Sequence, residues 1–286
     1  MPTSPKMISS LNDLTDRYGV LLCDVWGVVH NGVSAFEEAS AALSGARDKG
    51  LAVVLITNAP RPHGSVEAQL DVLGVPRSAW DRVVTSGDVT QELIRTAPRL
   101  IFHIGTESDK SIYEGIDVEL VEEFEARAVV CTGFADDDSE TPEDYADLLQ
   151  RLRARNLPFI CANPDLVVEK GDRLIYCAGA LARDYGLLGG TTLIAGKPHR
   201  PIYEAALQAA AEVLGRPVER RQALAIGDGA LTDVTGGERN GIDVLYVSGG
   251  IHAADYGPAL DPDLEKLGAF LAERGHNPVA VIPRLR

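Results

Sequence analysis

The sequence predicts an α/β protein with a doubly wound parallel sheet and an inserted α/β cap domain. Three observations predict it. Continuous apolar runs of four or five residues alternate with amphipathic stretches at both ends of the chain, as strands buried on both faces alternate with their crossover helices. The middle of the chain has strand-like runs of its own, separated by an acidic segment. The 286 residues, 45% apolar and 24% charged, suit an ordinary globular protein of one large or two average domains.

The elements follow in chain order. Residues 19–23 read as a buried strand, and 36–49 as a helix stopped by Gly50. The run AVVLI at 52–56 is a second buried strand, followed by Thr57, Asn58 and a Pro-rich turn. Residues 65–73 look helical and 82–84 strand-like. In the middle, 100–104 (LIFHI), 128–131 (AVVC) and 159–161 (FIC) are strand candidates. A helix over 142–155 begins with Thr141 and a proline at the first helical position. The first grammar then returns. Ile194 ends an apolar run, 201–214 is a helix, 223–226 a strand, 231–240 a helix and 243–247 a strand. Beyond 252 the chain reads as a loop over 252–262 and a helix over 264–273. These elements place a core domain in 1–85 and 191–286, and the cap in 86–190.

The formal net charge of −15 repels phosphate backbones and excludes a basic-groove nucleic-acid binder. It does not exclude a small phosphorylated ligand, because a bound divalent cation inverts the local field. The cysteines at 23, 131, 161 and 177 lack CxxC spacing and lie in or beside apolar runs, so they read as reduced, buried thiols. The first residues lack the apolar stretch of a signal peptide, and no run approaches the ~18 apolar residues of a membrane span. The expectation is a cytoplasmic protein with no membrane partner.

In an open parallel sheet, sites form beyond the carboxyl ends of the strands. Asp24 follows the first apolar run, Thr57 and Asn58 the second. Lys197 follows Ile194, and Asp228 follows ALAI, with Asp233 five residues further on. Each alone is ordinary turn chemistry. Their order, each at an expected strand end, fits phosphoryl transfer through an aspartyl-phosphate. Asp24 is the expected nucleophile. A Mg²⁺ held by Asp24, Asp228 and a backbone carbonyl would neutralise the repulsion between carboxylate and phosphate. Lys197 would pair the same phosphate and restrain Asp24. The Thr57 hydroxyl and the Asn58 N–H would bind phosphoryl oxygens. Asp233 would orient the metal's surroundings.

Competing motifs fail on spacing. Before Gly196-Lys197 the P-loop glycine position holds Thr191, and Pro198 stands where Ser or Thr is required. The third glycine of a dinucleotide loop starting at Gly227 is Thr232. The chain has no GxSxG and no HExxH.

With LLCDVWG around Asp24, LITN at 55–58, AGKP at 195–198 and IGDGALTD at 226–233, the chain resembles the haloacid dehalogenase superfamily. The room between LITN and AGKP resembles the branch with a large α/β cap, which holds sugar and nucleotide phosphatases, 4-nitrophenylphosphatases and pyridoxal phosphatase. Thr85-Ser86-Gly87, Cys161-Ala162-Asn163-Pro164-Asp165 and Gly179-Ala180-Leu181 are also similar to that branch. The resemblance implies that the loop Asn163, Pro164 and Asp165 faces the substrate and sets specificity. From the residues alone it reads equally as an Asx-Pro turn. The resemblance also implies Mg²⁺ as cofactor, and a homodimer, since related capped phosphatases often dimerise through the cap.

One departure matters. Phosphatases of this family have Asp-x-Asp in the first motif, the second Asp serving as general acid and base. Here that position is Trp26. A backbone carbonyl for the metal survives, because every residue has one. A positioned acid–base group supplies typically 10²–10⁴-fold, or about 3–5 kcal/mol of barrier, and an indole cannot supply it. Three outcomes follow: His30 substitutes, the leaving group needs no proton, as with an acyl phosphate, or the chain binds a phosphorylated ligand without turning it over. The leading expectation is a Mg²⁺-dependent hydrolase of a small phosphorylated metabolite. A regulatory binder is the alternative, and a dehalogenase-type hydrolase the weaker one.

Overall fold

The computed structural model describes residues 5–170 and 173–286. Its strands in chain order are β1 (Val20–Asp24), β2 (Ala52–Thr57), β3 (Arg82–Thr85), β4 (Leu100–Ile104), β5 (Glu119–Leu120), β6 (Ala128–Cys131) and β7 (Phe159–Cys161). They continue with β8 (Val167–Lys170), β9 (Arg173–Tyr176), β10 (Thr192–Ile194), β11 (Ala223–Gly227), β12 (Asp243–Val247) and β13 (Ala280–Ile282).

The chain divides into two units. The first comprises Met1–Thr57, Val66–Val84 and Tyr203–Arg286; the second comprises Asn58–Ser65 and Thr85–Ile202. The sheet of the first has the order β13-β12-β11-β1-β2-β3. β1 pairs in parallel with both β2 and β11, and β11 continues in parallel to β12. Successive strands therefore run outward one way from β1 to β3 and the other way from β11 to β13. The order reverses between β1 and β11, where a doubly wound sheet opens its crevice. The register sets Cys23 beside Ile226, so Asp24 and Asp228 leave the sheet side by side. All residues of β1, β2 and β11 are buried, as their unbroken apolar character requires.

The second unit has a five-stranded sheet, β10-β7-β6-β4-β5, with every pairing parallel. Its core packs Phe134, Tyr145, Leu149 and Tyr185 against one face, and Ile94, Ile112 and Tyr113 against the other. The helix Ser86–Thr96 starts on a reciprocal cap: Asp88 N–H donates to Thr85 Oγ1 (2.9 Å), and Thr85 N–H to Asp88 Oδ2 (3.0 Å). The helix expected over 142–155 begins as a 3₁₀ turn, Pro142–Tyr145, and becomes α-helical at Ala146–Ala154.

Four differences from the sequence reading are physical. The apolar run ending at Ile194 was grouped with the core strands, but β10 pairs with β7 in the second unit's sheet. Three residues, each only partly buried or exposed, carry too little pattern to name their sheet. The antiparallel hairpin β8–β9 and the edge strand β13 were not expected at all. Both are short, and β13 is recognisable only through its pairing with β12. The helix expected over 231–240 opens as a π-helical turn, Ala230–Val234, before Thr235–Arg239.

None of the four buried cysteines is in a disulfide. Among the described residues, no helix is long and apolar enough to cross a membrane.

Candidate active site

In the first unit the structure brings three carboxylates together. Asp24 is the last residue of β1, Asp228 follows β11, and Asp233 lies in the π-helical turn after it. All three are buried, and one oxygen from each lies within 4.8 Å of the others. Like charges this close in a buried place repel one another strongly, so the arrangement calls for a counter-charge.

Glycines make the room. A Cβ on Gly27 or on Gly250 would overlap the Asp228 carboxylate, and one on Gly227 would overlap Asp233. Gly27 also has φ +81°, the left-handed region that glycine adopts without strain. Two of the carboxylates are aimed by the backbone: Ile251 N–H donates to Asp228 Oδ2 (2.9 Å), and Gly229 N–H to Asp233 Oδ2 (3.1 Å). Thr232 Oγ1 donates to the same Asp233 oxygen at 3.3 Å. A glycine-walled cradle of three oxygen donors fits a hard divalent cation such as Mg²⁺, and has no soft ligand that would favour another metal.

The Trp26 loop folds tightly on itself. Gly27 N–H donates to the His30 carbonyl at 2.8 Å, and Gly32 N–H to His30 Nδ1 at 3.0 Å. The Trp26 side chain is 40% exposed and its indole lies over Gly32. His30 is 3% exposed, and burial pushes its pKa below the usual histidine value. With Nδ1 accepting a backbone hydrogen bond, the neutral ring carries its proton on Nε2. Thr57 ends β2, one residue past Ile56, the neighbour of Asp24 across the sheet.

In the second unit a separate cluster joins residues far apart in sequence. Lys197 N–H donates to Asn58 Oδ1 at 2.7 Å; Asn58 Nδ2 donates to the Lys197 carbonyl at 3.2 Å and to Asp165 Oδ1 at 2.9 Å. Asn163 is a turn former: its Oδ1 accepts from Asp165 N–H at 3.1 Å, and its carbonyl from the Cys161 thiol at 3.2 Å. Burial pushes that thiol up to about 12, so it remains protonated. Pro164 is packed on two sides by glycines. A Cβ on Gly179 would overlap its carbonyl oxygen, and one on Gly196 would come within 2.7 Å of its ring. Asn58, Asp165 and Lys197, which lie far apart in the sequence, are thus one hydrogen-bonded set.

Sequence reasoning missed Gly250 and Ile251, which shape and aim Asp228, and missed the side-chain role of Asn58. The pair Gly249-Gly250, just past Ser248 and the apolar run ending at Val247, was the available signal for the first.

Comparison with known proteins places the chain. Residues 21–119 match the model for haloacid dehalogenase-like hydrolases, and residues 194–273 match a HAD-hydrolase-like model. A hydrolase of the haloacid dehalogenase-like family from Brucella suis 1330 is 61% identical, with 98% of this chain and 100% of that one covered at a TM-score of 0.87. The 5'-nucleotidase YutF of Bacillus subtilis (strain 168) is 27% identical over 87% of this chain and 93% of its own. A possible sugar phosphatase of the HAD superfamily from Cytophaga hutchinsonii has the same fold at 20% identity, 97% coverage of each chain and a TM-score of 0.78. The chain belongs to the haloacid dehalogenase-like hydrolase family.

Proposed function

We propose that this hydrolase is a Mg²⁺-dependent phosphatase of a small phosphorylated metabolite, with Asp24 as nucleophile. The observation that carries the reading is the meeting of Asp24, Asp228 and Asp233 in one glycine-walled cradle at the point where the strand order reverses. The 5'-nucleotidase activity named for the Bacillus relative is of the same class, hydrolysis of a phosphate monoester.

A carboxylate oxygen of Asp24 attacks phosphorus, the bond from phosphorus to the ester oxygen breaks, and the departing oxygen takes a proton. Water then attacks the aspartyl-phosphate, releasing phosphate and restoring Asp24. A divalent cation held by Asp24, Asp228 and the Trp26 carbonyl, with Asp233 orienting its surroundings, would offset the repulsion between carboxylate and phosphate. Thr57 Oγ1 and the Asn58 N–H bind phosphoryl oxygens, and the Lys197 ammonium pairs the same group. The loop Asn163–Asp165 sets specificity, supported by the bond from Asn58 to Asp165. Because Trp26 cannot move a proton, the departing oxygen takes its proton from the minor imidazolium form of His30, which burial makes scarce at neutral pH, or leaves as an already stable anion, and turnover of ordinary esters is low.

The test is Asp24→Asn assayed on an aryl phosphate with and without Mg²⁺. We expect Mg²⁺-dependent turnover in the native chain to fall by more than about 10³-fold in the variant. Undiminished activity in the variant sinks the reading. Trp26 itself favours a second reading, a binder of phosphate esters. That protein would show no turnover, but its melting temperature would rise when Mg²⁺ and a phosphate ester are added together.

A further inference from the structure

Behind Asp228 lies a buried polar chain that the reaction above does not use. Tyr246 stands on β12 directly beside Gly227 of β11. Its hydroxyl is 2.9 Å from that of Tyr256, in the short helix Ala253–Tyr256. Tyr256 Oη in turn donates to the Ser248 carbonyl at 2.8 Å. A phenol has one proton, so the direction of the chain is settled: Tyr246 donates to Tyr256, and Tyr256 donates to Ser248. Both rings are fully buried, and the Tyr256 ring meets Phe270 edge-on at 5.3 Å between centroids. Burial pushes both phenols well above neutral pH, Tyr256 up to about 12, so both remain donors.

The segment these hydroxyls hold, Ser248 to Ile251, is the one that aims Asp228. Ile251 N–H donates to Asp228 Oδ2, and Gly250 presses on the same carboxylate so closely that a Cβ there would overlap it. On its other side the segment is fixed to the last strand region: Ser248 N–H donates to the Ile282 carbonyl (2.9 Å), and Gly249 N–H to the Pro283 carbonyl (2.8 Å). The Tyr256 hydroxyl thus grips the segment from its helix side.

We propose that Tyr246 and Tyr256 are positioning residues for the metal site, holding the Ser248–Ile251 segment so that its backbone fixes the Asp228 carboxylate. The inference rests on the reading that Asp24, Asp228 and Asp233 hold a divalent cation. Groups that orient metal ligands from behind typically contribute 10–100-fold in affinity. Acting through backbone, Tyr256 belongs at the low end. Tyr246, one bond further back, contributes less, by polarising the Tyr256 hydroxyl.

The experiment is Mn²⁺ binding, followed by the loss of the free-ion EPR signal, in the native chain, Asp228→Asn, Tyr256→Phe and Tyr246→Phe. Melting temperatures are measured alongside. We expect Asp228→Asn to abolish binding, Tyr256→Phe to weaken it about tenfold and Tyr246→Phe about twofold to threefold. A merely structural pair would lower the melting temperature and leave the affinity unchanged. Native affinity in folded Tyr256→Phe overturns the inference while the metal site stands. If Tyr256→Phe does not fold, native affinity in Tyr246→Phe overturns it. Absence of binding in the native chain instead removes the metal reading itself.

Discussion

Asn58 and Lys197 are joined by a reciprocal pair of hydrogen bonds, side-chain amide to backbone, across 139 residues of sequence. The amide oxygen accepts from Lys197 N–H, and the amide nitrogen donates to the Lys197 carbonyl and to Asp165. Asn58 thereby fixes the backbone of the residue expected to neutralise the substrate's charge. Asn58→Ala removes all three bonds and leaves the buried Lys197 N–H without its acceptor. Its expected cost is about 2–4 kcal/mol of unfolding free energy, measured by urea denaturation. A loss below ~0.5 kcal/mol would show that the clasp does not order this cluster.

The family resemblance sets Trp26 at the position expected to hold a general acid. Trp26→Asp introduces a carboxyl group at the same backbone position, in a side chain that is already partly exposed. If only the proton donor is missing, turnover of an alkyl phosphate rises by about 10²-fold or more. An aryl phosphate, whose leaving group is stable without a proton, gains less. A rate that stays negligible on both substrates favours the binding role.

Three histidines shape the acid side of the stability profile. Burial lowers the pKa of His30, His103 and His252 below the usual value. In the folded chain they therefore bind protons less readily than in the unfolded chain. As pH falls below ~6.5, the unfolded state takes up protons first and stability is lost, until the folded-state pKa is passed. Each such histidine steepens the profile by up to about 1.4 kcal/mol per pH unit. The expected outcome is a lower unfolding free energy at pH 5.5 than at pH 7.5. His103, whose Nδ1 meets the Tyr113 hydroxyl at 2.8 Å, is the residue to replace. In His103→Gln the difference between the two pH values should shrink, and a native-sized difference there would mean that other groups set the slope.

Much of the first unit could be read directly. The runs at 20–23, 52–56, 223–226 and 243–247 are strands, because continuous apolar character over four or five residues is a local property that only burial on both faces satisfies. Asp24, Asp228 and Asp233 could be named because chemistry in such a sheet gathers just past those runs. The Asx turn at Asn163 was legible for the same reason, being made within three residues.

What no local pattern holds is the partner. That β10 joins β7, that β13 closes the sheet beside β12, and that the strand order turns between β1 and β11 are facts of pairing between segments up to 203 residues apart. The same is true of Asn58, whose amide reaches Asp165 and Lys197, and of Gly27 and Gly250, small because the Asp228 carboxylate lies against them. Residue type and spacing determined which groups are the candidates for chemistry here. Packing alone decided which backbone atoms aim them, because a hydrogen bond or a steric limit is set by distance in space, and the chain encodes distance only through its fold.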